Sequence, residues 1–374
     1  MKQKIQSHLV AGTAIAAVLA IAGGSAQAAA PKFVCKALMD DAAAAVDSQT
    51  HTAEINSRGE VVGFASAPLF GSSALGSAIW GKDRQARRLT DKVSQGDVTL
   101  FADAYGINDS SQAVGVVYDR FGHPGAVTWV DGALTKLGGL SGAEGLGVAV
   151  AINNRGKIVG VSEVTLDTGV KVTRATVWDN GKIIDLGAMD KNGSSGAIDV
   201  NANGVVAGTS TSADGKSTRP VRWDGRKITA LTVPNGAKSA VAGINREGVI
   251  IGQSTFTSDG SVHGTAWRGD EVLDLGVFGD NMQTQPTDIN TAGAVVGLAS
   301  KTGAVPVALY WANVESAPVD LNTLVTRAGC LDNFGVKRLL TSASGINDKG
   351  VIAATAQALV DGNLRSFSFK LTPR

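Results

Sequence analysis

The chain has little of the raw material from which reactive sites are usually assembled. Its 374 residues include 2 cysteines and 4 histidines, and only 5% are aromatic. Two cysteines form no C-x-x-C pair and permit one disulfide connectivity. The sequence has no H-E-x-x-H, no G-x-S-x-G, no EF-hand loop and no phosphate-cradling glycine loop ahead of a helix. Past residue 22 no stretch approaches the roughly 18 apolar residues that a spanning helix needs. Charge is scarce and balanced, with 34 basic and 33 acidic residues and no run of one sign. General binding to nucleic acid or an anionic membrane, which rests on basic patches, is therefore not expected.

The first 28 residues stand apart. Lys2 and Lys4 make a basic start, Leu9 to Ala22 is an apolar stretch of 14, and Ala26-Gln27-Ala28 is a small-x-small cleavage site. This is the pattern of a secretory signal peptide, too short for a membrane span. The expected mature chain is residues 29–374, placed in the periplasm or outside the cell. Losing Lys2 and Lys4 leaves 32 basic against 33 acidic residues.

What is abundant is glycine, 47 residues against a usual share of about 7%. Much of it recurs in register. Stretches such as "EINSRGEVVGFA", "AINNRGKIVGVS" and "GINREGVIIGQS" are near-copies, anchored at Asn56, Asn108, Asn153, Asn201, Asn245, Asn290 and Asn347. The separations are 52, 45, 48, 44, 45 and 57 residues. Three residues after each asparagine stands glycine, with Ser111 the exception, and seven after stands glycine again, replaced by Ala354 in the last copy. All 6 tryptophans fall 21 to 25 residues after the asparagine, and Phe369 takes that place in the seventh copy.

Each copy reads as four short strands. N-x-x-G is turn chemistry, because Asn bonds its own backbone two residues on and Gly accepts positive φ. "xVVGxS" is a second strand, and Asp-Gly pairs such as Asp214-Gly215 set a hairpin. A third strand closes on Trp, and a short turn leads to a fourth that ends "DLG" at Asp185–Gly187 and Asp274–Gly276. Four antiparallel strands in 45 to 50 residues make a β-propeller blade. The predicted fold is all-β: one seven-bladed propeller over residues 29–374. The seventh copy lacks a fourth strand, and "KFVCKALMDD" (32–41) is a spare one at the N-terminus. That strand is expected to complete the last blade and close the ring.

The motif A-x-x-I-N-x-x-G-x-V-V-G, the "AVTW" and "ATVW" strands and the "DLG" endings resemble the HAF-repeat family of extracellular bacterial proteins. The resemblance covers residues 36–374 and implies the repeat fold and an exported location. It carries no activity with it. The position four before Trp, where the family's namesake His-Ala-Phe falls, holds Gly76, Gly125, Arg174, Arg219, His263, Val307 and Arg365.

Candidate site residues are few. Glu54, Asp199 and Asp288 occupy the position two before the asparagine, on the innermost strands, a set spread around the axis that would suit a cation or a basic ligand. Bonding to a neighbouring backbone N–H is the structural alternative. Arg120 and His123, with Tyr118, lie at the second blade's hairpin. Tyr, His and Arg together suit β-elimination of a polysaccharide, or simply decorate a turn. His263 and His51 have no companions that make a site. No catalytic residue, metal site or cofactor is expected.

Loop variability places recognition on the face of the hairpins and crossovers, since the N-x-x-G face is nearly invariant from copy to copy. The functional expectation is a monomeric binding or interaction protein for a glycan or a protein. The alternative is a carbohydrate-active propeller enzyme, a polysaccharide lyase or glycoside hydrolase. Cys35 and Cys330, the only cysteines, are expected to form a disulfide that locks the seventh blade.

Overall fold

The computed structural model describes residues 30–38, 50–65, 76–81, 86–89, 101–143, 145–234, 237–255, 260–280, 282–326, 332–333, 336–337, 339–360 and 362–374. They form seven blades; six are antiparallel meanders whose strands pair in sequence order, and the seventh is completed by strands from elsewhere in the chain. Blade 1 runs Thr50–Ile55, Val61–Ala65, Gly76–Trp80 and Ala86–Arg88. Blade 4 runs Ser194–Val200, Val206–Thr211, Thr218–Asp224 and Lys227–Ala230, and blades 2, 3, 5 and 6 repeat that plan. The expected seven-bladed propeller is the observed fold.

The N-x-x-G motif explains why the blades meet at the axis. In all seven copies the asparagine N–H donates to the carbonyl four residues on, and the N–H three residues on returns to the asparagine carbonyl. The side-chain Oδ1 accepts the N–H groups at +2 and +4, as in Asn56 with Arg58 and Glu60 at 3.0 and 2.9 Å. That leaves Nδ2 to donate outward, to the carbonyl of the next blade's asparagine. The chain of bonds runs Asn56 to Asn108 (3.0 Å), Asn108 to Asn153 (3.4 Å), Asn153 to Asn201 (2.9 Å) and Asn201 to Asn245 (3.1 Å). It continues through Asn290 (3.1 Å) and Asn347 (3.2 Å) and returns to Asn56 at 2.9 Å. The ring is closed.

Both glycines have a steric reason. The residue at +3 is left-handed throughout, φ 71° to 85° in the six glycines and 59° in Ser111. Ser111 meets that conformation with a hydroxyl bonded to the Glu60 carboxylate at 2.8 Å. At +7 the backbones nearly touch: a Cβ on Gly115 would lie 1.9 Å from the Asp103 carbonyl oxygen. The inner strand bulges opposite each such glycine, between Ala104 and Gly106 in blade 2 and between Ala197 and Asp199 in blade 4. Blade 7, which carries Ala354 there, has a second register shift between Leu340 and Ser342.

The core lies between blades. One cluster joins Val62, Ile79 and Leu89 of blade 1 to Ala104, Val117 and Trp129 of blade 2. Another joins Val159 and Val177 of blade 3 to Val206 and Trp223 of blade 4. All six tryptophans and Phe369 are buried at such seams. Three indole N–H groups also reach back to the preceding blade, Trp178 to the Gly138 carbonyl, Trp267 to Thr232 and Trp311 to Leu275. In these three the side chain supplies apolar area and satisfies its polar edge across the same seam, whereas the buried Nε1 of Trp80 and of Trp223 has no hydrogen-bond partner among the described residues.

The ring closes as the sequence predicts. Phe33–Ala37 pairs antiparallel with the last strand, Asn363–Pro373, in the register Phe33 with Pro373 through Ala37 with Phe369. Outside it a two-residue strand, Val325–Thr326, adds in parallel against Phe33 and Val34. A single-turn helix, Leu321–Leu324, leads into that strand. Blade 7 therefore has five strands where four were expected. Phe33 is buried and meets the Tyr310 ring of blade 6 edge-on, 5.8 Å between centroids. A protein lacking residues 29–42 is expected to melt at lower temperature and less cooperatively in a calorimetric scan, because the last blade is left with an open edge. An unchanged single transition would count against the closure.

Candidate functional site

Where the seven inner strands end, their side chains surround a cavity of about 400 Å³ on the ring axis. Its wall takes residues from every blade, including Glu54, Gly106, Ala151, Asp199, Ile244, Asp288 and Ile346. The three carboxylates predicted at the position two before the asparagine are thus brought together, and at the N-x-x-G end of the axis. Each sits just past a bulge, which turns it inward.

Two of them act first as staples. Asp199 accepts the Val200 N–H (2.7 Å) and, across the seam, the Ile244 N–H of blade 5 (2.8 Å). Asp288 does the same with Ile289 (2.7 Å) and Ile346 of blade 7 (2.6 Å). Glu54, one methylene longer, accepts from its own neighbour Ile55 at 2.9 Å. The backbone-bonding alternative thus describes the two aspartates.

Burial pushes all three acids upward. Asp199 is raised to about 6 by burial, against the pull of its two backbone bonds. Asp288 is raised to about 7 by burial, to which the charges of Asp199 and Asp348 add. Glu54 lies well above the ordinary carboxylate range, through burial first and then the charges of Asp288 and Asp199. Among the described residues no group of three or more His, Cys, Asp or Glu side chains is arranged to hold a metal ion.

Arg120 and His123 are not part of this cavity. They belong to the hairpin between the second and third strands of blade 2, which the meander places at the other end of the propeller. Asp119 organises that turn, accepting the N–H groups of Phe121 (2.8 Å) and His123 (2.9 Å) and pairing with His123 Nδ1 at 3.1 Å. The Arg120 guanidinium lies over the Phe121 ring, 4.7 Å from its centroid. His263 is paired with Asp274 at 2.9 Å, much as Arg174 meets Asp185 at 3.7 Å. The "DLG" aspartate therefore answers the basic side chain four before Trp. His51 stacks on Phe64, 5.5 Å between centroids. Cys330 lies outside the described residues, as do parts of the 322–341 crossover.

Two features escaped the sequence reading. Asp103, Tyr105 and Tyr118 of blade 2 share side-chain hydrogen bonds, with the Tyr105 hydroxyl pushed up by burial and then by the neighbouring Asp103. The alternation of the strand holds the signal for the first pair, but the bulge at Tyr105, between Ala104 and Gly106, hides it. The other feature is a sorting of exposed apolar side chains. Phe121, Val170, Met189, Val305, Leu339, Leu359 and Leu364 are all exposed, and every one lies in a hairpin, a crossover or a strand end on the crossover face. On the opposite face only Val130 joins them among the described residues.

No protein-family model matches the chain, and no curated protein matches it. Solved structures do. A puromycin-hydrolysing peptidase from Mycobacterium tuberculosis aligns at TM-score 0.52 and 10% identity, over 90% of this chain and 55% of that one. A prolyl endopeptidase structure aligns at TM-score 0.51 and 9% identity, over 87% of this chain and 50% of that one. The β-propeller domain of the Trilobed protease from Pyrococcus furiosus aligns at 0.40 and 12%, over 73% and 98% of the two chains. This chain spans about half the length of the two peptidases, and identities so low show the fold alone.

The axial acids give a pH dependence with a definite sign. Asp288 is raised from 3.8 to about 7, so the folded state holds a proton that the unfolded state releases near pH 4. Its contribution is complete below pH 4 and lost as pH rises to about 7, a ceiling on the order of 4 kcal/mol before cavity water screens it. Glu54→Gln removes one charge from the trio and keeps an acceptor for Ile55. In chelator-containing buffer it is expected to raise the melting temperature more at pH 8 than at pH 5. An equal shift at both would refute the linkage.

Proposed function

We propose that this chain is an exported β-propeller that binds a protein partner through its crossover face, without transforming it. The observation that carries the reading is the one-sided sorting of exposed apolar side chains. Leu359 and Leu364 are cross-strand partners at the tip of blade 7, 70% and 58% exposed, and Phe121 at the tip of blade 2 is 69% exposed. An excess of exposed apolar side chains on one face, two of them adjoining, supports an interaction surface there. Six of the seven are aliphatic, which favours a protein surface over a glycan, because sugars pack on aromatic rings. The N-x-x-G face offers less, since its asparagines and two of its aspartates are occupied by the blades themselves. Residues 1–28 would direct export and be removed, and the HAF-like repeat supports the same location.

A second reading, a carbohydrate-active enzyme, draws on the Arg120–Phe121–His123 turn, an aromatic ring beside a cation and an imidazole. Photo-crosslinking side chains at positions 121, 305 and 364, compared with 131 and 225 on the other face, separate the readings in a cell-envelope extract. A single protein adduct from the first set alone is expected. Equal labelling from both faces overturns the proposal, and turnover of a polysaccharide on a glycan array replaces it with the second reading.

We also propose the Cys35–Cys330 disulfide. Cys35 is buried in the closing strand, and among the described residues no cysteine is free. Thr326, already beside Val34, is four residues from Cys330. So long a loop puts the chain-entropy ceiling at about 5 kcal/mol. Thiol titration of the denatured, unreduced exported protein should find no free thiol; two per chain would reject the bridge.

A further inference from the structure

At the seam between blades 7 and 1, on the N-x-x-G face, lies a second cavity of about 130 Å³. Its wall carries Arg58, Lys349 and Lys370 together with the hydroxyl-bearing Ser57 and Thr372, and no acid among the described residues. The three cations come from three separate places in the chain. Arg58 is in the N-x-x-G turn of blade 1, Lys349 is in that of blade 7, and Lys370 follows Phe369 on the last strand.

Two of the three are held in place. Lys370 Nζ donates to the Gly59 carbonyl across the seam at 3.2 Å. Arg58 Nη2 is paired with Glu60 at 3.0 Å and donates to the Ser111 hydroxyl of blade 2, which leaves its Nη1 and Nε to the notch. Lys349 is exposed. Lys36 adds to the positive side, standing opposite Lys370 in the closing register, where like charges are unfavourable.

The repeat supplies its own control. The same three positions occur at every seam: the residue after Trp, and the +2 residues of the two adjoining turns. At the seam of blades 4 and 5 they are Asp224, Asn203 and Glu247, and at that of blades 1 and 2 they are Gly81, Arg58 and Ser110. Propeller packing therefore does not call for three cations here. We propose that this notch binds a tetrahedral oxyanion, a phosphate or sulfate group, held by the Arg58, Lys349 and Lys370 donors with hydroxyl support from Ser57 and Thr372. Guanidinium and ammonium donors with adjacent hydroxyls match the charge and the several acceptor oxygens of such a group. A bound oxyanion would add contacts across the seam that closes the ring, so binding should stabilise the fold.

Inorganic phosphate is the first probe, titrated by calorimetry and by thermal melting against sodium chloride of equal ionic strength. Phosphate is expected to bind saturably and to raise the melting temperature beyond the chloride control. Lys349→Gln, exposed and outside the blade packing, should weaken phosphate binding about tenfold or more, the loss of one charged hydrogen bond. Arg58→Gln should do likewise, while Lys301→Gln, on the other face, leaves binding unchanged. Glycerol 1-phosphate in a parallel arm separates the sources: binding comparable to inorganic phosphate points to a phosphoryl group carried on a larger molecule, and exclusion of the ester points to the free ion. A melting shift no larger than chloride gives, or equal phosphate binding by Lys349→Gln, overturns the proposal.

Discussion

Seven asparagine side chains hold this molecule to its symmetry. Each amide oxygen accepts two N–H groups of its own turn or, at Asn245 and Asn290, at least the one four residues on. Each amide nitrogen donates to the next asparagine's carbonyl, which also receives the N–H three residues on. Aspartate would lack the outward donor, and serine lacks the reach to serve both ends. Each bond is worth about 1 kcal/mol net, and an orphaned buried group costs about 1–3 kcal/mol. The motif therefore recurs without offering any chemistry, because it is consumed by structure.

From this constraint the inner wall follows. To bring seven turns within bonding distance, the inner strands must crowd the axis, and the bulge and the second glycine are how the backbone does so. The bulge then decides which residue looks into the cavity, and small residues fill most of those positions. Where Glu54, Asp199 and Asp288 occur instead, the aspartates bridge to the next blade's N–H and become further seam bonds. Burial at the axis raises their pKa while the stapling N–H bonds pull it down, and burial wins, which makes the staples sensitive to proton concentration.

Much of this was legible in the sequence because repetition multiplies weak signals. One N-x-x-G is only a turn; seven in register, each followed by Trp at a fixed distance, define blades and their count. The closing strand, observed at Phe33–Ala37, was legible too, since a missing fourth strand and an unassigned first one complement each other. Long-range consequences were not legible. No local pattern says that Asp288 bonds Ile346, or that a fifth strand at Val325–Thr326 flanks Phe33. The hydrogen-bonded group of Asp103, Tyr105 and Tyr118 depends on a bulge whose position shows only in the strand register. The sorting of exposed apolar side chains needs the meander to say which turn belongs to which face.

Departures from the repeat gather at the seam. Blade 7 carries Ala354 for glycine with an added register shift, Phe369 for Trp, and a closing strand from the other end of the chain. Six seams join blades contiguous in sequence, so their packing is specified by neighbouring residues of one repeat pair. The seventh pays loop-closure entropy before any of its contacts form. Substitutions that would upset an internal seam can persist there if the closing strand or a ligand compensates. Lys36, opposite Lys370 in the closing register, is one such departure. In a repeat protein, chemistry specific to one molecule is best sought where one copy differs from the other six, and here those differences converge on the place where the ring is shut.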